Sequence, residues 1–232
     1  MSTSPLLLAV SHGTADGAGA AAIAELVSRV DAELPGVDVR EAFVDVQEPD
    51  AAVLAPQLAG PLAVVPLLLS SGFHVHHDLH GIADTRPHTV VADPLGPDPR
   101  LAEVLALRLA QIPDAAADAP VVLAVAGSRD PRSLADAEAM TSLLAAHTGR
   151  PVHPAYLAAR EPDLPTALTQ HPGAVVATYL LARGYFFDLA ARQASAAGCP
   201  LAPPLLDGGE VPRPLVELVA ARYREAAARL HV

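Results

Sequence analysis

The chain carries one cysteine, Cys199, in 232 residues. It can close no internal disulfide and build no cysteine-cluster zinc site. Tryptophan is absent and aromatics make up only 3%, which leaves Leu, Val and Ala to build the cores. Basic groups are scarce: 15 Lys plus Arg stand against 26 Asp plus Glu, for a formal net charge of -11. Nucleic-acid binders neutralise phosphates with clustered Lys and Arg. Nothing of that kind is here, and nucleic acid is excluded as a partner. The negative balance favours solubility and draws cations toward the surface. Long apolar runs are missing too. The first, residues 6–10, follows a start without positive charge and is too short for a signal-peptide core or a membrane span. These absences predict a soluble, cytoplasmic protein with no membrane partner.

What is present is alternation. Short apolar runs at 6–10, 37–44, 62–69 and 89–92 read as strands, bounded mostly by Gly, Pro or Asp. Helical stretches follow at 20–33, 49–58, about 76–84, and 99–112. Buried strands that each lead into a helix argue for an α/β fold with parallel sheets. Residues 113–120, with Pro113 and Pro120 at the ends, read as a linker. The pattern then restarts, with strands at 121–125, 152–157 and 174–181 and helices at 131–148, 188–196 and 214–230. Asp130 is the expected N-cap before Pro131.

The second half repeats the first. Ala42-Phe43-Val44-Asp45-Val46-Gln47-Glu48-Pro49-Asp50 aligns with Ala155-Tyr156-Leu157-Ala158-Ala159-Arg160-Glu161-Pro162-Asp163. Gly72 falls opposite Gly184, and Gly13-Thr14-Ala15-Asp16 opposite Gly127-Ser128-Arg129-Asp130. Self-similarity at so long a period means a duplicated domain rather than a solenoid. The expected division is 1–114 and 120–232, the first unit carrying the site and the second a degenerate copy.

Duplication separates chemistry from scaffolding. Structural residues persist in both copies, whereas groups kept for chemistry in one copy are lost from the other. His12 is replaced by Ala126, Asp45 by Ala158 and His74 by Phe186. All three first-copy residues sit at or just beyond the C-terminal end of an expected strand, the edge where open α/β sheets bind ligands. Imidazole is a ligand for Fe, Co, Ni and Zn in its neutral form. A neighbouring carboxylate can orient it or take a proton. Open coordination positions suit a metal that is handed on rather than stored. Four histidines crowd into Phe73-His74-Val75-His76-His77-Asp78-Leu79-His80, a metal-binding composition. His76, His77, His80 and Asp78 are outer candidates there.

Other chemistries fit less well. Gly13, Gly17 and Gly19 match neither a dinucleotide fingerprint nor a Walker loop. Ser11 lacks the Gly-x-Ser-x-Gly of a hydrolase elbow. A phosphate-handling hydrolase on His12 and Asp45 is one rival. A non-catalytic metal carrier or sensor built on the His cluster is another.

Three motifs resemble the sirohydrochlorin chelatases of siroheme and cobalamin synthesis. They are Leu8-Ala9-Val10-Ser11-His12-Gly13-Thr14; Ala42-Phe43-Val44-Asp45 with Glu48-Pro49; and Val64-Val65-Pro66-Leu67-Leu68-Leu69 with Gly72, His74, Val75 and Asp78. The resemblance covers the N-terminal half in order and spacing, and the repeat resembles the two-domain members. It implies two similar α/β domains facing across a cleft, and insertion of Fe2+ or Co2+ into sirohydrochlorin. It carries the two active-site histidines onto His12 and His74, with Asp45 as a third catalytic group. Ser11, Gly13, Thr14 and Arg129 are the implied substrate contacts. No prosthetic group is implied, since the metal is itself a substrate, and the assembly is expected to be a monomer or homodimer. Two departures stand out. Asp45 occupies a position where the family usually has Glu, and Ala15 one where it often has a basic residue. Arg129 keeps that basic type in the second copy. Arg183, Arg160 and Arg86 are the further cations available for an acidic macrocycle.

Overall fold

The computed structural model describes residues 4–72, 79–113, 116 and 118–230. The expected parallel α/β architecture is present twice. The first sheet has the order β2-β1-β3-β4, from β1 (Leu6–Ser11), β2 (Val39–Phe43), β3 (Leu62–Pro66) and β4 (Thr89–Val91). The second has the order β6-β5-β7, from β5 (Val121–Val125), β6 (Val152–Tyr156) and β7 (Val175–Tyr179). Every recorded pairing is parallel. Strands β1, β3, β5 and β7 are buried along their whole length, which is why they read as continuous apolar runs rather than alternating ones.

Aspartate starts the helices. Asp16 caps α1 (Gly17–Glu33), Asp50 caps α2 (Ala51–Leu54), Asp98 caps α4 (Pro99–Leu109) and Asp130 caps α5 (Pro131–Thr148). Each carboxylate accepts backbone N–H bonds from the first turn, where four donors would otherwise lack partners. The remaining helices are α3 (His80–Thr85), α6 (Leu164–Gln170), α7 (Tyr185–Ala196) and α8 (Arg213–Leu230). The expected helix over 49–58 breaks into α2 and a 3₁₀ turn, Ala55–Gln57, where Pro56 intervenes. The strand runs 62–69 and 174–181 end earlier than expected, at Pro66 and Tyr179. The neighbouring strands stop at Ser11 and Val125, so the apolar residues beyond leave the sheet. Helix α6 was not expected; Asp163 caps it, with a proline in its first turn.

The two units interlock. Each half of the chain ends in a helix that packs on the other half. Helix α4 lies against α5 and β7 of the second unit, while α8 lies against α1, β3 and β4 of the first. One buried cluster therefore runs from Leu7, Ala9 and Val65 through Leu105 to Leu123, Ala177 and Leu218. The outer face of each sheet has its own smaller core. Arg108 of α4 fastens the exchange: it is 5% exposed, donates to the Leu205 carbonyl, and pairs with Asp207 at 2.6 Å.

Candidate functional site

Both sheets point their C-terminal strand ends at one cavity of about 930 Å³. Ser11, His12, Gly13 and Thr14 line it from the end of β1, and Leu67 to Ser70 from the end of β3. Val125 to Ser128 and Leu180 to Asp188 face them from the second unit. His12 and its counterpart Ala126 thus share one space, together with Phe186, the counterpart of His74.

Glycine places His12. Gly13 has φ +85°, and a Cβ there would lie 2.7 Å from the Asp45 carbonyl oxygen. Gly127 repeats this with φ +88° and a Cβ 2.0 Å from the Ala158 carbonyl oxygen. Only glycine takes that backbone region without steric cost. The turn thus persists in both copies although its chemistry does not.

The other expected residues sort differently. Ser11 is 1% exposed and lines the cavity, and its buried Oγ has no hydrogen-bond partner among the described residues. A buried hydroxyl left so is costly unless a ligand or water meets it. The Thr14 amide donates to Gln47 Oε1 at 2.8 Å, and the Thr14 hydroxyl donates to the Arg183 carbonyl at 3.3 Å. Thr14 therefore ties the units together at the cavity mouth. Asp45 is exposed and does not line the cavity; its Oδ1 accepts the Val46 N–H at 2.8 Å. Arg129 is exposed and lines an adjoining cavity of about 740 Å³ that shares Ser128 with the first. Arg86 and Arg160 serve the scaffold. Arg86 donates to the carbonyls of Leu58 and Gly60, and Arg160 to that of Asp130. Arg183 does line the cavity, its guanidinium 5.2 Å from the Phe187 ring centre. His74, His76, His77 and Asp78 lie outside the described residues. Among the described residues no group of three His, Cys, Asp or Glu is placed to hold a metal, and no helix is long and apolar enough to cross a membrane.

A model of the CbiX family matches residues 6–112 and 120–194. The chain belongs to the CbiX family. Comparison of this CbiX-family chain with curated proteins gives no match. Solved structures share its fold. SirB from Bacillus subtilis with Fe3+ superposes with a TM-score of 0.79 at 22% identity, covering 98% of this chain and 97% of that one. SirB from Bacillus subtilis subspecies spizizenii, a sirohydrochlorin chelatase in complex with cobalt, gives 0.81 at 22% over 97% and 96%. A CbiX described as the terminal enzyme for siroheme biosynthesis in denitrifying bacteria gives 0.72 at 20% over 93% and 98%.

Sequence reasoning missed the aromatic character of the site. The CbiX-family chain has four Tyr and four Phe, and five of those eight line the cavity: Tyr156, Tyr179, Tyr185, Phe186 and Phe187. Aromatics are scarce in the chain, yet three of them stand side by side at 185–187. Tyr185 is 72% exposed, an unusual position for so large a ring.

Proposed function

We propose that this protein inserts a divalent metal into sirohydrochlorin. The observation that carries the reading is the cavity of about 930 Å³, which joins His12 to five of the eight aromatic rings. Flat aromatic and apolar walls suit a planar conjugated ring system. A metal carrier needs ligands but has no use for such a space. Membership of the CbiX family and the fold shared with SirB support the same reading.

His12 and His74 are the proposed metal-handling pair. Neutral imidazole receives the incoming Fe2+ or Co2+, and imidazole also accepts pyrrole N–H protons as the metal enters the ring. Fe2+ is the first choice of metal, and no resident prosthetic group takes part. The Ser11 hydroxyl, the glycine turn at Gly13 and the Arg183 guanidinium contact the macrocycle, with Arg129 at the edge for its carboxylates. Asp45 fixes the turn against which Gly13 packs. Both units line the one cavity, so a cytoplasmic monomer suffices for the reaction, and segments 1–114 and 120–232 are the duplicated units.

The test is a spectral one. Protein, Fe2+ or Co2+ and sirohydrochlorin are mixed anaerobically, and the change in macrocycle absorbance is timed. Insertion should outpace the protein-free reaction. The double variant His12→Ala with His74→Ala should lose that advantage while keeping its circular dichroism. A wild-type rate no faster than the blank, or full activity in the double variant, overturns the reading.

A further inference from the structure

The duplication can be read in the opposite direction, for polar groups that only the second copy has. Superposing the repeat by its buried faces sets Tyr179 against Leu67 and Asp136 against Ala22. Neither Leu67 nor Ala22 can form a side-chain hydrogen bond. Both second-copy groups reach across to the first unit and bind the same loop. The Tyr179 hydroxyl donates to the Leu69 carbonyl at 2.8 Å. Asp136 Oδ2 accepts the Ser71 N–H at 2.7 Å. Among the described residues of the first unit the loop is held at its root, where the Leu67 N–H bonds the Val10 carbonyl and the Leu68 carbonyl accepts from the Leu95 N–H.

We propose that Tyr179 and Asp136 are positioning residues: they clamp the backbone of Leu69 and Ser71 in the loop whose Leu69, Ser70 and Gly72 line the cavity, and Ser71 precedes His74 by three residues in the sequence. The inference rests on the chelatase reading of the cavity. Its physical basis is accounting for backbone polar groups. Strand pairing ends at Pro66, so the carbonyl of Leu69 and the amide of Ser71 have no ladder partner and must find one elsewhere. Tyr179 is 2% exposed, and burial, aided by Asp136 and Asp98, pushes its hydroxyl well above the usual range. It therefore stays a donor throughout the working range of pH. Two bonds two residues apart fix the backbone of the loop that lines the cavity from the end of β3. The second copy thus supplies orientation to the first, where histidine chemistry requires placement within about an ångström.

Three variants test this: Tyr179→Phe, Asp136→Ala and Asp136→Asn. Steady-state insertion of Co2+ is measured with each substrate varied in turn, alongside amide hydrogen exchange and thermal midpoints. Tyr179→Phe and Asp136→Ala should raise the KM for Co2+ about tenfold while the KM for sirohydrochlorin stays within about twofold. Asp136→Asn keeps an acceptor oxygen and should restore most of the loss. The Ser71 amide should exchange faster in Asp136→Ala, with α5 and the sheets still protected. The clamp is refuted if both KM values are unchanged or rise together, or if Ser71 exchange is unaltered in Asp136→Ala. Should wild type fail to insert metal, the chelatase reading falls, and Ser71 exchange alone still decides whether the clamp exists.

Discussion

Gly96 offers the most exacting test of how the two units meet. A Cβ at this position would lie 1.9 Å from the Tyr179 hydroxyl, 2.5 Å from the Leu69 carbonyl oxygen and 3.1 Å from Leu101 Cδ1. The first two of those atoms are the partners of the inter-unit hydrogen bond. Gly96→Ala must push them apart. Overpacking of a tight interior costs about 1–3 kcal/mol, and a buried carbonyl left without its donor costs about 1–3 kcal/mol more. The expected destabilisation is about 2–6 kcal/mol, a large share of a typical domain's stability of about 5–15 kcal/mol. In a Tyr179→Phe background the worst contact is gone and the bond is already lost. There Gly96→Ala should cost at least about 1 kcal/mol less than in wild type, which appears as coupling in a double-mutant cycle. Urea unfolding followed by circular dichroism measures all four proteins. If the two substitutions add to within about 0.5 kcal/mol, Gly96 is not there to admit the hydroxyl, and the packing argument fails.

Other perturbations separate site from scaffold. Tyr185→Ala removes an exposed ring from the cavity wall. It should raise the KM for the macrocycle about two- to tenfold, as loss of an aromatic contact worth about 0.5–1.5 kcal/mol requires, with stability unmoved; an unchanged KM would remove Tyr185 from the substrate surface. Arg108→Ala leaves Asp207 and the Leu205 carbonyl without their partner. It should destabilise by about 3–5 kcal/mol in urea, as breaking a buried pair does. His153 stacks on His171 with ring centres 3.6 Å apart. Burial, with His171 beside it, holds the His153 imidazole below its usual range. The unfolded chain then takes up the proton first as pH falls. The pair's contribution is complete above about pH 6.5 and is lost as pH drops through the lowered folded value. His171→Gln should flatten the unfolding free energy between about pH 7 and 5, and an unaltered slope would contradict the assignment.

Much of this was legible in the residues. Apolar runs located the seven described strands; β1, β3, β5 and β7 were plainest because a strand buried on both faces leaves no polar gap, and aspartate before proline marked the start of α5. The runs overshot at 62–69 and 174–181 because leucine is equally at home in a buried strand and in a cavity wall. Helix α6 escaped notice: Pro165 looks like a breaker, yet it stands in the first turn, where no N–H partner is lost. At the site, the lost histidine marked His12, which does face the cavity. Asp45 followed the same logic, and Arg129 came from the resemblance; both fall outside its lining, because a residue's place at a strand end does not say where its side chain turns. Tyr179 and Asp136 were missed because the comparison of copies asked only what the second had lost. The exchange of α4 and α8 left no trace in the pattern, for an amphipathic helix looks the same whichever sheet it covers.

That exchange bears on how the protein is made. A ribosome delivers the first unit before the second, yet the face of the first sheet bearing Leu7, Ala9, Ala63 and Val65 shares its core with Leu215, Leu218, Val219 and Tyr223 of α8. Those leucines and valines await the 18 residues of α8, which emerge after every strand of both sheets. The Tyr223 hydroxyl then closes the structure on the Pro5 carbonyl, 218 residues upstream. The half that carries His12 is begun first and finished last.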